Sequence, residues 1–213
     1  VMGRDAGFLT AASALARQAE GDGPHLIYLP ERTFNPAQFK QDVVAQVAKH
    51  GRCVVAVSEG IVDAEGIPIA TTGEKDSHGN LQLSGTGALG DTLSAMTKEA
   101  LPEGARVRAD TFGYLQRSFP SVVSEVDAKE AREVGSYAVN HAVPSSENGS
   151  VAIRRVSSAP YESEYFITPL SSVAREATSM KDHYINEAGN DVTQAWLDYV
   201  APLVGELPKM GRL

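Results

Sequence analysis

The 213-residue chain carries 27 acidic against 19 basic side chains, a net charge of −8, and this balance excludes a nucleic-acid binder built on a basic face. With 42% hydrophobic and 22% charged residues it holds enough apolar material for one large domain or two small ones. No apolar run approaches membrane-spanning length, no signal-peptide pattern is visible, and the single cysteine, Cys53, cannot form an internal disulfide, so a reducing, cytoplasmic setting is expected.

In chain order, Phe8, Leu9, Ala12, Leu15, Ala16 and Ala19 fall at helical spacing, which predicts a helix from Asp5 to about Ala19 with Asp5 as N-cap. His25–Leu29 reads as a strand ended by Pro30. Asn35-Pro36 signals a helix start, and Phe39, Val43, Val44, Val47 and Ala48 mark one face before Gly51 closes it. Cys53–Val57 is an apolar run, expected to be a strand covered on both faces. Strand, helix, strand in that order predicts a right-handed crossover and a parallel sheet. Gly60 to Ser84 reads as a long, partly irregular excursion, and a helix is expected from Thr86 to Leu101 on Leu89, Leu93, Met96 and Ala100. Val107, Ala109 and Thr111 alternate and predict a buried strand broken at Gly113. A helix follows over Ser124–Ala142 on Val126, Ala131, Val134, Ala138 and Val139. Val151–Val156 is a strand, Tyr165-Phe166-Ile167 a short one, and a last helix runs from Asp191 to Leu203.

Three stretches carry chemistry. Met2-Gly3-Arg4 places a glycine and a guanidinium just before a helix, where free N–H groups favour an anion. Ser58 and Glu59 sit at the carboxyl end of a predicted parallel strand, the place where ligands of such sheets bind. Arg108, Tyr114 and Arg117 bracket another strand end, and arginine offers a planar fork of donors that matches phosphate oxygens. Each also has a plainer reading: a solvated terminal arginine, a carboxylate capping a turn, a half-buried phenol, a surface ion pair. A ligand motif at position 2 sits where termini fray, which sets the expectation of a piece of a longer protein. Gly85-Thr86-Gly87-Ala88-Leu89-Gly90 fits the GxGxxG pattern, but no adequate strand precedes it, and it is read as a loop opening a helix. The five histidines show no metal-ligand spacing.

Met2-Gly3-Arg4 followed by Asp5-Ala6-Gly7, Glu59 after an apolar strand, and Tyr114-Leu115-Gln116-Arg117 together resemble the phosphofructokinase family in order and approximate spacing. The Tyr-Leu-Gln-Arg form and the long segment between Glu59 and Arg106 resemble its pyrophosphate-dependent branch; the bacterial ATP-dependent branch usually has histidine in place of Tyr114. The resemblance implies an α/β, three-layer, Rossmann-like fold with a parallel sheet, the fragment being centred on the substrate-binding domain. It implies a fructose-6-phosphate-binding core at 1–118, a segment packing on an N-terminal donor domain at 119–160, and a C-terminal return segment and helix at 161–213. The implied reaction is phosphoryl transfer from pyrophosphate to the 1-hydroxyl of fructose 6-phosphate in glycolysis. Met2, Gly3, Arg4, Glu59, Arg108, Tyr114 and Arg117 are the implied substrate-binding set, with Glu59 at the sugar hydroxyls. Arg108 is implied to reach the phosphate bound in an adjacent subunit, hence a homodimer or homotetramer. The family's magnesium ligands, donor loop and catalytic aspartate lie upstream of its Met-Gly-Arg motif, so this chain offers no residue for those roles, and alone it is expected to be inactive. An ATP-dependent phosphofructokinase and a non-catalytic phosphosugar-binding regulatory subunit remain the alternatives.

Overall fold

Asn35 starts the 15-residue helix between the two parallel strands by a local mechanism. In the computed structural model, which describes residues 1–70, 87–145, 148–174 and 177–208, its side-chain oxygen accepts from the N–H groups of Ala37 (2.9 Å) and Gln38 (3.2 Å). Pro36 opens α2 (Pro36–His50), and Gly51 ends it in the left-handed conformation. The helix connects β1 (Leu26–Tyr28) to β2 (Val55–Val57), which pair in parallel with Leu26 opposite Val55 and Tyr28 opposite Val57. The chain divides into two compact units, Val1–Ser118 with Ser179–Leu197, and Phe119–Thr178 with Asp198–Leu213.

In the first unit the core gathers Leu26, Tyr28, Phe34, Phe39, Val43, Ile61 and Leu93. Tyr28, Phe34 and Phe39 form an aromatic trio with ring centroids 5.3–5.5 Å apart. Leu93 comes from α3 (Ala88–Ala100), whose Leu89 and Met96 also pack inward as the spacing predicts. β1 is buried throughout, but β2 is only half-buried. Cys53, Val55 and Val57 pack on the core while Val54 is 49% exposed, so this run is covered on one face and not on both. Burial pushes the Cys53 thiol up to about 11, with the Asp42 carboxylate adding to the effect.

The first helix is shorter than its periodicity predicts. α1 is Phe8–Ala12, preceded by Gly7, and a 3₁₀ turn at Ser13–Ala16 follows. Ser13 Oγ donates back to Thr10 O at 2.5 Å, a local bond that competes with the helical ladder. Arg17 then turns away, extended, to donate to Pro24 O and to form a two-point ion pair with Asp191 at 3.0 and 2.9 Å. The 179–197 stretch thus returns to this unit. Asn190 O accepts from Ile27 N on the edge of β1, and buried Trp196 packs on Phe8 and Tyr184.

The expected buried strand over Val107–Thr111 is corrected: the run forms no strand, with Arg108, Ala109, Asp110 and Thr111 exposed. Alternation decides which face a strand presents, whereas a ladder also needs a partner edge. Of the Gly60–Ser84 excursion, residues 60–70 hold a tight turn in which Asp63 Oδ1 accepts from Glu65 N and Ile67 N. The remainder, with His78, Gly85 and Thr86, lies outside the described residues. Gly87 directly precedes α3, in keeping with a loop that opens a helix.

The second unit sets α5 (Glu125–Ala142) beside an antiparallel hairpin of β3 (Ser150–Ser158) and β4 (Tyr161–Thr168), the latter longer than the three-residue strand expected. Ser124 caps α5, accepting from Asp127 N at 3.0 Å and donating to Leu203 O at 2.5 Å. Of the predicted apolar stripe, Val126, Val134 and Ala138 are half-buried and Ala131 and Val139 exposed. Val139 is 62% exposed, while Glu130 is buried and accepts from Tyr161 OH at 2.6 Å; Glu133 accepts from Tyr165 OH at 2.5 Å. Hydrogen bonding thus places carboxylates on the face that spacing assigned to valines. Burial, then the Glu130 bond, pushes the Tyr161 phenol up to about 12. The last helix, α6 (Gln194–Val204), has its first residues in the first unit and the rest in the second. Arg155 of β3 donates to Tyr199 O at 2.6 Å and lies 5.0 Å from the ring centroids of both Tyr161 and Tyr199.

Candidate functional site

The carboxyl end of β2 receives the Val1–Arg4 segment. Val1 N donates to Val57 O at 2.8 Å and Glu59 N to Val1 O at 2.9 Å, the pattern of one more parallel strand on the free edge of β2. Gly60 N then donates to Gly3 O at 3.2 Å, Ser58 Oγ donates to the same oxygen at 2.5 Å, and Gly3 N donates to Glu59 Oε1 at 3.3 Å. Met2, Gly3, Arg4 and Glu59 are therefore gathered at one strand end.

Two glycines are required there for steric reasons. Gly3 has φ +153°, and an added Cβ would lie 2.7 Å from both Ala6 O and Ser58 Oγ. At Gly60 a Cβ would lie 2.5 Å from the Arg4 carbonyl carbon and 2.7 Å from its Cα, and closer still to its oxygen. Arg4 backbone and Gly60 backbone thus touch with no room for a side chain between them. On the far side of the segment, Glu31 Oε1 accepts from Gly7 N (2.9 Å) and from Met180 N (3.0 Å), fixing the start of α1.

Arg108, Tyr114 and Arg117 belong to a second, exposed stretch of the same unit. Gly113 (φ +54°) turns the chain into α4 (Leu115–Ser118), a single turn. Tyr114 is 60% exposed, and the Arg117 guanidinium stands 5.9 Å from its ring centroid. Arg108 is exposed in the run before them. The structure joins the first four residues by backbone contact and the last two by a cation–ring contact. Sequence reasoning placed Ser58 beside Glu59 at the strand end without a role, and missed Gly60 and Glu31. The signal available was a glycine directly after Glu59 at a strand end, and a carboxylate just after Pro30.

Chemically, an arginine whose backbone lies against Gly60, next to the Glu59 carboxylate at the end of a parallel strand, suits a ligand with an anionic end and a hydroxylated end. Among the described residues no group of three or more His, Cys, Asp or Glu side chains could hold a metal ion. None of their helices is long and apolar enough to cross a membrane.

The parallel pair of strands joined by a helix, with the Val1–Arg4 segment on the free edge of β2, defines an α/β protein. The family model for phosphofructokinase matches residues 1–142, and the chain belongs to that family. It is 53% identical to the pyrophosphate–fructose 6-phosphate 1-phosphotransferase of Rhodospirillum rubrum over 100% of this chain and 53% of that protein. It is 39% identical to the enzyme of the same name from Xanthomonas campestris, over 97% of this chain and 49% of the relative. The crystal structure of a pyrophosphate-dependent phosphofructokinase from Marinobacter aquaeolei superposes with a TM-score of 0.78 at 32% identity, covering 99% of this chain and 48% of that one. The fold is thus the phosphofructokinase α/β fold, and the chain spans about half the length of the curated relatives it matches.

Proposed function

We propose that this chain is the acceptor-binding half of a pyrophosphate-dependent 6-phosphofructokinase, a cytoplasmic homodimer or homotetramer. The whole protein moves a phosphoryl group from pyrophosphate to the 1-hydroxyl of fructose 6-phosphate, giving fructose 1,6-bisphosphate and orthophosphate. The observation that carries the reading is the docking of Met2-Gly3-Arg4 on Ser58-Glu59-Gly60, which holds an arginine and a carboxylate on touching backbones. The names of the relatives support pyrophosphate as the donor.

In this reading Arg4 and Arg117 grip the 6-phosphate, to which Tyr114 adds one neutral hydrogen bond. Glu59 accepts from sugar hydroxyls; a carboxylate repels phosphate, so it faces the opposite end of the ligand. Arg108 serves the pocket of a neighbouring subunit. These residues bind and orient, which is most of what a protein supplies to phosphoryl transfer. This reading assigns the family's magnesium ligands to the part of the enzyme upstream of the Met-Gly-Arg motif; among the described residues no group of three or more His, Cys, Asp or Glu side chains could hold the ion. The second unit exposes Phe119, Val122, Val123 and Val143, which supports the role of residues 119–160 in packing against a donor domain.

The test is kinetic. In the whole protein Arg4→Ala and Arg117→Ala should each raise KM for fructose 6-phosphate by about tenfold or more, the worth of a charge-assisted contact. An unchanged KM in both variants would sink the assignment.

A further inference from the structure

We propose that Ser58 is a positioning residue for the acceptor's phosphate site, its hydroxyl fixing the Gly3 peptide and thereby aiming Arg4. This deepens the function proposed above and rests on it. Ser58 is fully buried, and its N–H donates to Tyr28 O at 3.0 Å, so its backbone is fixed by the sheet. A buried hydroxyl must find a partner, and Ser58 Oγ finds Gly3 O at 2.5 Å. The same oxygen takes a second donor from Gly60 N, and the Gly3 N–H goes to Glu59 Oε1. One tripeptide, Ser58-Glu59-Gly60, thus holds both polar groups of Gly3.

Ser58 also acts by volume. A Cβ at Gly3 would lie 2.7 Å from Ser58 Oγ, so the hydroxyl fills the space that any side chain there would need. Gly3 is left with φ +153°, a backbone conformation that L side chains rarely adopt. Arg4 follows directly, with its backbone against Gly60. Its side chain therefore starts from a Cα set by the serine bond on one side and by glycine contact on the other. Removing the hydroxyl frees one of the two restraints on Gly3 O and leaves the rest of the sheet intact.

The experiment uses the whole protein with fructose 6-phosphate and pyrophosphate as probes. Ser58→Ala should raise KM for fructose 6-phosphate about three- to tenfold, the worth of one lost hydrogen bond, and leave KM for pyrophosphate within about twofold. Ser58→Thr, which keeps the hydroxyl, should recover most of the loss. In the Arg4→Ala background the same serine change should add little, because there is no guanidinium left to aim. A purely structural serine would lower Tm and the active fraction and would not separate the two KM values. Unchanged fructose 6-phosphate KM in Ser58→Ala, or full additivity with Arg4→Ala, overturns the proposal. The two readings fail differently: a wild-type protein that does not phosphorylate fructose 6-phosphate ends the functional reading, whereas an active wild type with an indifferent Ser58→Ala ends only the positioning role.

Discussion

Gly60→Ala is the sharpest perturbation of the strand-end site. The added methyl would lie 2.5 Å from the Arg4 carbonyl carbon and nearer still to its oxygen, where real Cβ contacts begin near 3.0 Å. Both partners are backbone, so no rotamer change relieves the clash. Gly60 is itself buried and tied through its N–H to Gly3 O, and Ile61 beyond it is 1% exposed in the core. The core side is close-packed, so the Val1–Arg4 segment is the part that yields. A displacement on the order of 1 Å at a ligand-positioning residue costs up to about a hundredfold in kcat/KM, and overpacking costs about 1–3 kcal/mol in stability. Steady-state kinetics in fructose 6-phosphate and thermal melting of the whole protein read the two effects. The account expects kcat/KM to fall by more than tenfold, mostly through KM, with a modest drop in Tm. Wild-type kinetics with a wild-type Tm would refute the claim that Arg4 is seated against Gly60.

Further predictions concern the scaffold. Phe39→Ala removes a ring that is 1% exposed from the trio with Tyr28 and Phe34, and should cost about 3–5 kcal/mol in urea denaturation; a loss under about 1 kcal/mol would contradict the packing. Tyr161 should make stability fall at high pH. Its folded phenol, pushed to about 12 from an ordinary 10, holds its proton more tightly than the unfolded one, so its contribution is full below pH 10 and is lost as pH rises through about 12. Melting curves across that range should lose this dependence in Tyr161→Phe, and an identical alkaline slope in the variant would count against the Glu130 bond. Cys53, pushed up to about 11, should react with iodoacetamide at pH 8 on the order of a hundredfold more slowly in the folded protein than in the denatured one; equal labelling rates by mass spectrometry would contradict its burial.

Local signals were the legible ones. Asn35-Pro36 and Gly51 bounded α2 correctly because caps are made by the residues themselves. Ser124 was legible for the same reason. The parallel pairing of β1 and β2 followed from strand, helix, strand order. Apart from the early end of α1, what failed depended on partners distant in sequence. Val107, Ala109 and Thr111 alternate as a strand would, yet nothing in their own pattern states whether a neighbouring edge exists. Glu130 is buried because Tyr161, on another element, offers it a hydroxyl, so a carboxylate joins half-buried Val126, Val134 and Ala138 on α5. Met2, Gly3, Arg4 and Glu59 could be named from their order, but the clasp that unites them could not. Ser58 and Gly60 are ordinary residue types whose roles appear only when the Gly3 and Arg4 backbones are laid against them.

The central claim is that this chain forms the acceptor side of a pyrophosphate-driven sugar-phosphate kinase. The measurement that bears on it most directly is ³¹P NMR of the whole protein with fructose 6-phosphate, magnesium and pyrophosphate, run beside a sample with ATP. The account predicts fructose 1,6-bisphosphate and orthophosphate from pyrophosphate, and the reverse reaction when those products are supplied. Bisphosphate formed from ATP and none from pyrophosphate, or no bisphosphate from either donor, would contradict it.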